Sequence, residues 1–538
     1  MRTSENKKPI WTKLEKHSKI LKKKTLRDLF ELDPNRNSYL STQFGDIWID
    51  ISKQKLTKET IVLFSELIEE SNVYEYLKNM LNGEPVNKTE NRPALHTALR
   101  SKKDANIKVN GFDVVPEIQK NLKKMSELSN AIRDGKLLGA TGLPIRSVVA
   151  IGVGGSNLGI SMACKALSQF AHPDLDIRFS SNVDGSAITD ALEGLEPEAT
   201  IFVITSKSFT TSETMTSMKT AKSWLKNSIP VSDLSSHLIA ITGAQEKALD
   251  LGIEPKNIFQ LPEWVGGRFS LASAAGLVLM ISIGPELFKE LLSGMRLIDE
   301  KIISEPINSN GALILGVLDV WNRSFFDHQT MAVVPYSSRM SEFPAFLQQL
   351  MMESLGKQNP IDHSIKEQAI GSIIWGSVGT DSQHAFFQFL HQGGTVVPCD
   401  LIGFVNSDND PRNAHHSSLF ANLIAQSKAL AFGNIDTSPE LEKEKTLIGD
   451  RPSTVIIAPE LTPRVLGQLI ALYEHRTVIA GIVWGVNPFD QWGVELGKKL
   501  ARSIETELNG QDASLNKSHD SSTQDLIKRF KELRKNQE

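Results

Sequence analysis

Cysteine is nearly absent from this chain of 538 residues: Cys164 and Cys399 are its only two, more than two hundred positions apart. Neither lies in a CxxC or Cys/His spacing, which excludes a disulfide framework and a cysteine-based zinc site and fits a reducing cytoplasm. Long apolar runs are also missing. No stretch approaches the ~18 consecutive apolar residues that a membrane-spanning helix needs, so no membrane association is expected. Charge of one sign is lacking too. The 59 Lys and Arg nearly cancel the 63 Asp and Glu, and a net charge of −4 offers no general field to gather nucleic acid. The basic cluster from Lys16 to Arg27 has no apolar run beside it, so it reads as a solvated helix face rather than a signal peptide. Asn87-Lys88-Thr89 matches a glycosylation acceptor, a pattern short enough to arise by chance. No fixed-period repeat is present.

What is present is the balance of an ordinary globular protein, 40% hydrophobic and 23% charged, in a chain longer than one core usually supports. From about residue 147, short β-branched runs alternate with helical periodicity, the mark of βαβ units on a parallel sheet. Ser147–Ile151, Asp176–Phe179, Thr200–Ile204 and His237–Ile241 are expected as strands of one doubly wound α/β domain, residues 106–290. Met331–Pro335, Ser372–Trp375, Thr395–Pro398 and Thr454–Ile457 are expected to form a second sheet within 291–508. Residues 1–105 read as mainly helical and are expected to pack around the sheets. Residues 509–538 read as a C-terminal arm, docked through Leu526, Phe530 and Leu533.

Several segments bear chemistry, and each has a plain structural alternative. Gly152-Val153-Gly154-Gly155-Ser156-Asn157-Leu158-Gly159 follows a strand and opens a helix, where backbone N–H groups can approach an anion. Asn157 stands where the dinucleotide pattern needs its third Gly, and no Gly-Lys-Ser/Thr ending is present, so neither nucleotide motif is met. A second strand end carries Ser206-Lys207-Ser208-Phe209-Thr210-Thr211-Ser212-Glu213-Thr214, six hydroxyls where helix capping needs one. Two such loops meeting at the carboxyl edge of one sheet suit a small phosphate ester.

Gly266-Gly267-Arg268 sets a guanidinium close to backbone, for an oxyanion or for an ion pair. Gln349 and Glu353 are four apart on one helical face. Glu353 could be a partly desolvated general base or a surface side chain bonded to Lys357. His384 is placed at a helix start after the strand near Ile374, and could shuttle protons. His391, seven residues on, reads as a core or capping residue. Gln491 and Lys498 lie two turns apart with Glu495 between them, a stripe equally consistent with a solvated Glu495–Lys498 pair.

Taken together, GVGGSNLG, SKSFTTSET, EWVGGRFS, QQLMMESLGK, GSVGTDSQHAFFQFLHQGG and FDQWGVELGKKLA resemble the glucose-6-phosphate isomerase (phosphoglucose isomerase) family, in that family's order and over nearly the whole chain. The resemblance implies two sugar-isomerase (SIS) α/β domains of three αβα layers and a homodimer with shared active sites. It also implies interconversion of glucose 6-phosphate and fructose 6-phosphate, in glycolysis and gluconeogenesis, with no metal or other cofactor. It implies further that Ser206, Lys207 (through its backbone), Ser208, Thr210 and Thr211 hold the phosphate, with Gly155, Ser156, Gln349 and Gln491 beside the sugar. Glu353 is then the base, Arg268 steadies the enediolate, and Lys498 and the neighbouring subunit's counterpart of His384 assist ring opening. Leu355 and Glu263 depart from the family pattern, where Asn and Asp are common. A dual specificity that includes mannose 6-phosphate, or a sugar-phosphate sensor without catalysis, are the alternatives.

Overall fold

The computed structural model describes residues 9–361, 369–407, 414–434, 442–510 and 519–535. These fall into two compact units, the first ending at Phe489 and the second beginning at Asp490.

The first unit holds two parallel-stranded sheets. Strands β1 (Ser41–Phe44) and β2 (Ile47–Asp50) form a hairpin, and β3 (Lys108–Val109) with β4 (Phe112–Asp113) form another. Strands β5 (Ser147–Ile151), β6 (Asp176–Ser180), β7 (Thr200–Thr205), β8 (Leu238–Thr242) and β9 (Ile258–Gln260) make an all-parallel sheet in the order β6-β5-β7-β8-β9. Strands β10 (Thr330–Pro335), β11 (Ile373–Trp375), β12 (Cys399–Phe404) and β13 (Ser453–Ala458) make the parallel part of the other, in the order β13-β12-β10-β11. In both sheets the strand order reverses beside the first strand of the series, which opens a crevice at the carboxyl ends.

The central strands β5, β7 and β8 are covered on both faces and are apolar at most positions. Val148, Val203 and Ile241 enter one core cluster while their neighbours Val149, Phe202 and Ala240 enter another. In the second sheet Val333 and Ile402 face one way, Val334 and Leu401 the other.

Three strand expectations need correction. Residues 395–398 are not a strand; β12 starts at Cys399. Thr395-Val396-Val397 has the β-branched composition, but β12 lies between β10 and β13, and Pro398 has no N–H for a central ladder. The first hundred residues are not only helical packing, because the β1–β2 hairpin continues the second sheet by antiparallel pairing of β2 with β13. The three-residue β9 was not anticipated.

A helix over Pro463–Trp484 runs through the core with almost every residue buried. Its polar side chains are paired internally. Arg476 bonds Asp319 twice, at 2.7 and 2.6 Å, and also Asp400, while Tyr473 donates to Asp400 at 2.8 Å. Arg100 joins Asp299 at 2.6 Å and Glu474 at 2.6 Å, and His475 meets Asp299 at 2.7 Å. Such charges survive burial because every one has a partner.

The second unit contains helices over Glu495–Leu508 and Ser521–Lys535. Its compact structure begins at Asp490 rather than 509. Leu526, Phe530 and Leu533, the stripe expected to dock, are exposed, and the neighbouring Ile527 is the buried residue.

Candidate active site

Two turns leave the carboxyl ends of the adjacent strands β5 and β7. The first passes through a tight turn at Gly154–Ser156 into a helix over Leu158–Ala166. Gly154 has φ +59°, and a Cβ on Gly155 would lie 2.3 Å from the carbonyl carbon of Gly267 and 2.7 Å from the Arg268 nitrogen. Only glycine lets these two loops touch.

The second turn opens the helix over Ser212–Leu225. Thr211 occupies the N-cap but does not cap it, since its hydroxyl is paired with Ser206 Oγ at 3.1 Å, and Ser208 is likewise paired with Thr210 at 2.9 Å. The first N–H groups of this helix therefore lack a side-chain acceptor. Thr214 Oγ1, in the same first turn, is buried without a partner. Phe209 sits at φ +50°, a strained region for an aromatic residue, and its buried ring fixes the turn in the core. An uncapped helix end, a strained turn and convergent hydroxyls make a place for an anion. Thr214 is one of the six hydroxyls of the motif but was given no role of its own, and Phe209 was given none, because backbone torsion and missing partners leave no compositional trace.

Arg268 is buried and held on three sides. Its Nε donates to Ser354 Oγ at 2.7 Å, one terminal nitrogen to Glu353 Oε2 at 3.2 Å, and the other to the Pro488 carbonyl at 2.7 Å. Glu353 Oε2 also accepts from Gln349 Nε2 at 3.2 Å. Gln349 and Glu353 lie not on an ordinary helix but on a π-helical segment, Gln348–Glu353, that follows a short α-helix over Phe343–Leu347. Such segments are rare and occur mostly at functional sites. Lys357 donates to the Glu353 backbone carbonyl at 3.0 Å. The Glu353 side chain keeps 22% of its exposure, whereas Arg268 keeps 1%: a fixed cation lies beside a carboxylate that a ligand can reach.

The departures from the family pattern fall away from these contacts. Leu355 is buried in the core, and Glu263 takes part through its backbone carbonyl, which accepts from Arg92 and Lys207 at 2.7 Å each. Burial, with Arg92 adding to it, pushes the Lys207 ammonium down to about 8.

The remaining sequence-derived candidates are placed differently. His384 is not at a helix start: the helix over Gly379–Gln383 ends there, with the His384 N–H bonded to the Asp381 carbonyl. Its side chain is exposed. His391 bonds Gln426 at 2.9 Å in a structural contact. Gln491 and Lys498 belong to the second unit, where Lys498 pairs with Glu495 at 3.0 Å and both are about half exposed. The cluster within the first unit thus unites Gly155, Arg268, Gln349 and Glu353, with Ser354 and Pro488 as unforeseen supports. Among the described residues, no group of three His, Cys, Asp or Glu could hold a metal ion, and no helix is long and apolar enough to cross a membrane.

Fold and site together define a doubly wound α/β protein with two parallel-stranded sheets, an anion-ready turn at a sheet edge and a buried Arg beside a reachable Glu. The family model for phosphoglucose isomerase matches residues 50–527. Glucose-6-phosphate isomerase of Deinococcus radiodurans is 43% identical over 534 residues, 98% of either chain. Glucose-6-phosphate isomerase 1 of Streptomyces avermitilis is 46% identical over 515 residues, 93% of either chain. Among solved structures, the glucose-6-phosphate isomerase from Chlamydia trachomatis is similar with a TM-score of 0.86 and 29% identity, over 98% of this chain and 99% of that one. The chain belongs to the phosphoglucose isomerase family.

Proposed function

We propose that the chain interconverts glucose 6-phosphate and fructose 6-phosphate. The observation that carries this reading is the Arg268–Glu353 pair, whose Arg268 lies on the loop that touches Gly155 and that Lys207 ties to the turn before the uncapped helix. Isomerising an aldose needs a base for a carbon acid and positive charge at the developing oxyanion, already in place before reaction.

In this mechanism the phosphate sits on Ser206, the Lys207 backbone, Ser208, Thr210 and Thr211, with Thr214 as a further donor. After ring opening, Glu353 takes the proton from C2. The C–H electron pair becomes the C1–C2 double bond and negative charge moves to O1, facing Arg268. The O2 hydroxyl proton passes to O1, and Glu353 returns its proton to C1, giving the ketose. Gly155, Ser156 and Gln349 line the sugar, and the family resemblance alone assigns Gln491 the same role. Lys498, whose half-exposed pair with Glu495 is worth little and can be exchanged, assists ring opening.

The test is to incubate the purified protein, with a chelator present, separately with glucose 6-phosphate, mannose 6-phosphate and free glucose. Fructose 6-phosphate should form from the first, and free glucose should react very poorly. Product from mannose 6-phosphate would establish dual specificity, and no product from any of them would leave a sensor.

The family resemblance assigns His384 to the neighbouring subunit's site, and its exposed side chain is available for such a role. We infer a cytoplasmic homodimer in which each site combines Glu353 of one chain with the neighbouring chain's counterpart of His384. Mixing inactive Glu353→Gln and His384→Ala chains should then create heterodimers with one site carrying both defects and one carrying neither. Activity should return to about half the parental value per heterodimer. Heterodimers verified by mass spectrometry yet inactive would place His384 in its own subunit's chemistry.

A further inference from the structure

Lys207 serves two loops. Its backbone belongs to the turn after β7, and its carbonyl is pinned there by the Gly243 N–H at 3.0 Å and by Thr242 Oγ1 at 3.2 Å, at the end of β8. Its side chain leaves this turn for the neighbouring loop, where Nζ donates to the Glu263 carbonyl at 2.7 Å and the Val265 carbonyl at 3.0 Å. Three residues past Val265 that loop delivers Arg268. The intervening Trp264 carbonyl accepts from the Leu95 N–H at 3.1 Å, so three consecutive carbonyls are gripped from outside, two of them by one ammonium. A half-buried cation is retained where its hydrogen bonds offset desolvation, and here they go to the Glu263 and Val265 backbone oxygens. Methylenes alone would fill the space without tying the two loops together.

We infer that the Lys207 side chain is a positioning residue: it locks the Arg268 loop to the anion-binding turn and so fixes the span from the phosphate to the reacting carbons. This goes beyond the backbone contact of Lys207 and rests on the isomerase reading above. Glucose 6-phosphate carries its phosphate at the far end from C1 and C2, so catalysis depends on that span as well as on each end. A small shift in the Arg268 loop would leave the anion bound and misplace the cation.

The experiment uses the full chain with Lys207→Met and Lys207→Arg. Two probes separate the ends: inorganic phosphate for the turn alone, and a phosphorylated five-carbon aldonate, whose carboxylate imitates the enediolate, for the whole span. In Lys207→Met, phosphate affinity should stay near the parental value, while kcat and aldonate affinity fall about 10–100-fold, the effect of a misplacement near 1 Å. Lys207→Arg, which keeps a cationic donor, should restore most of the loss. Lys207→Gln replaces the Met variant if that does not fold, and should fall between parent and Met. Parallel loss of phosphate and aldonate affinity, or parental kcat in the Met variant, would overturn the inference. A parent protein without isomerase activity would count against the proposed function instead, and the two binding constants would still report the coupling.

Discussion

Glu353→Gln is expected to lower kcat by ~10²–10⁴, the contribution of general acid–base catalysis, while binding of a phosphorylated inhibitor changes little. Glutamine keeps the volume and one oxygen, so it can still accept from Arg268 and leave that guanidinium seated on Ser354 and Pro488. What it loses is the capacity to take a proton from carbon. The π-helical segment should persist, since Leu350 and Met351 are buried in the core. Near-parental kcat in a folded variant would remove Glu353 from proton transfer.

Arg476→Met is expected to be the most damaging change away from the site. The substitution keeps an apolar stem but leaves Asp319 and Asp400 buried without their cation. Breaking a buried charge pair from one side is worth ~3–5 kcal/mol of stability, and here two carboxylates are abandoned at once. The helix over Pro463–Trp484 is anchored by this network, so the denaturant midpoint should drop steeply. Combining Arg476→Met with Asp319→Leu should recover part of the loss, and a single variant as stable as the parent would contradict the pairing.

How far the sequence can be read differs between fold and site. Strands such as Ser147–Ile151 and Thr200–Thr205 are plain because strands covered on both faces need apolar residues without alternation. Cys399–Phe404 was misplaced because composition favours Thr395–Val397, whereas ladder bonding beyond Pro398 decides the start. The hairpin of β1 and β2 escaped notice because it is short and completes a sheet whose other strands lie hundreds of residues away. At the site, motif residues were legible but their supports were not. Arg268 meets Ser354 and Pro488 across 86 and 220 positions, and only the folded chain shows that Lys207 holds Glu263 and Val265. The π-helical turn was hidden too, since Gln349 and Glu353 keep the same four-residue spacing on an ordinary helix.

The central claim is that one carboxylate moves a proton between adjacent sugar carbons. It is tested most directly by supplying fructose 6-phosphate in deuterated water and locating the label by NMR in the glucose 6-phosphate formed. The account predicts deuterium at C2, since protons on Glu353 exchange with solvent before return, and loss of this incorporation in Glu353→Gln. Glucose 6-phosphate formed by the parent protein with no deuterium at C2, in single-turnover and prolonged reactions alike, would mean the hydrogen travels directly between carbons and would contradict it.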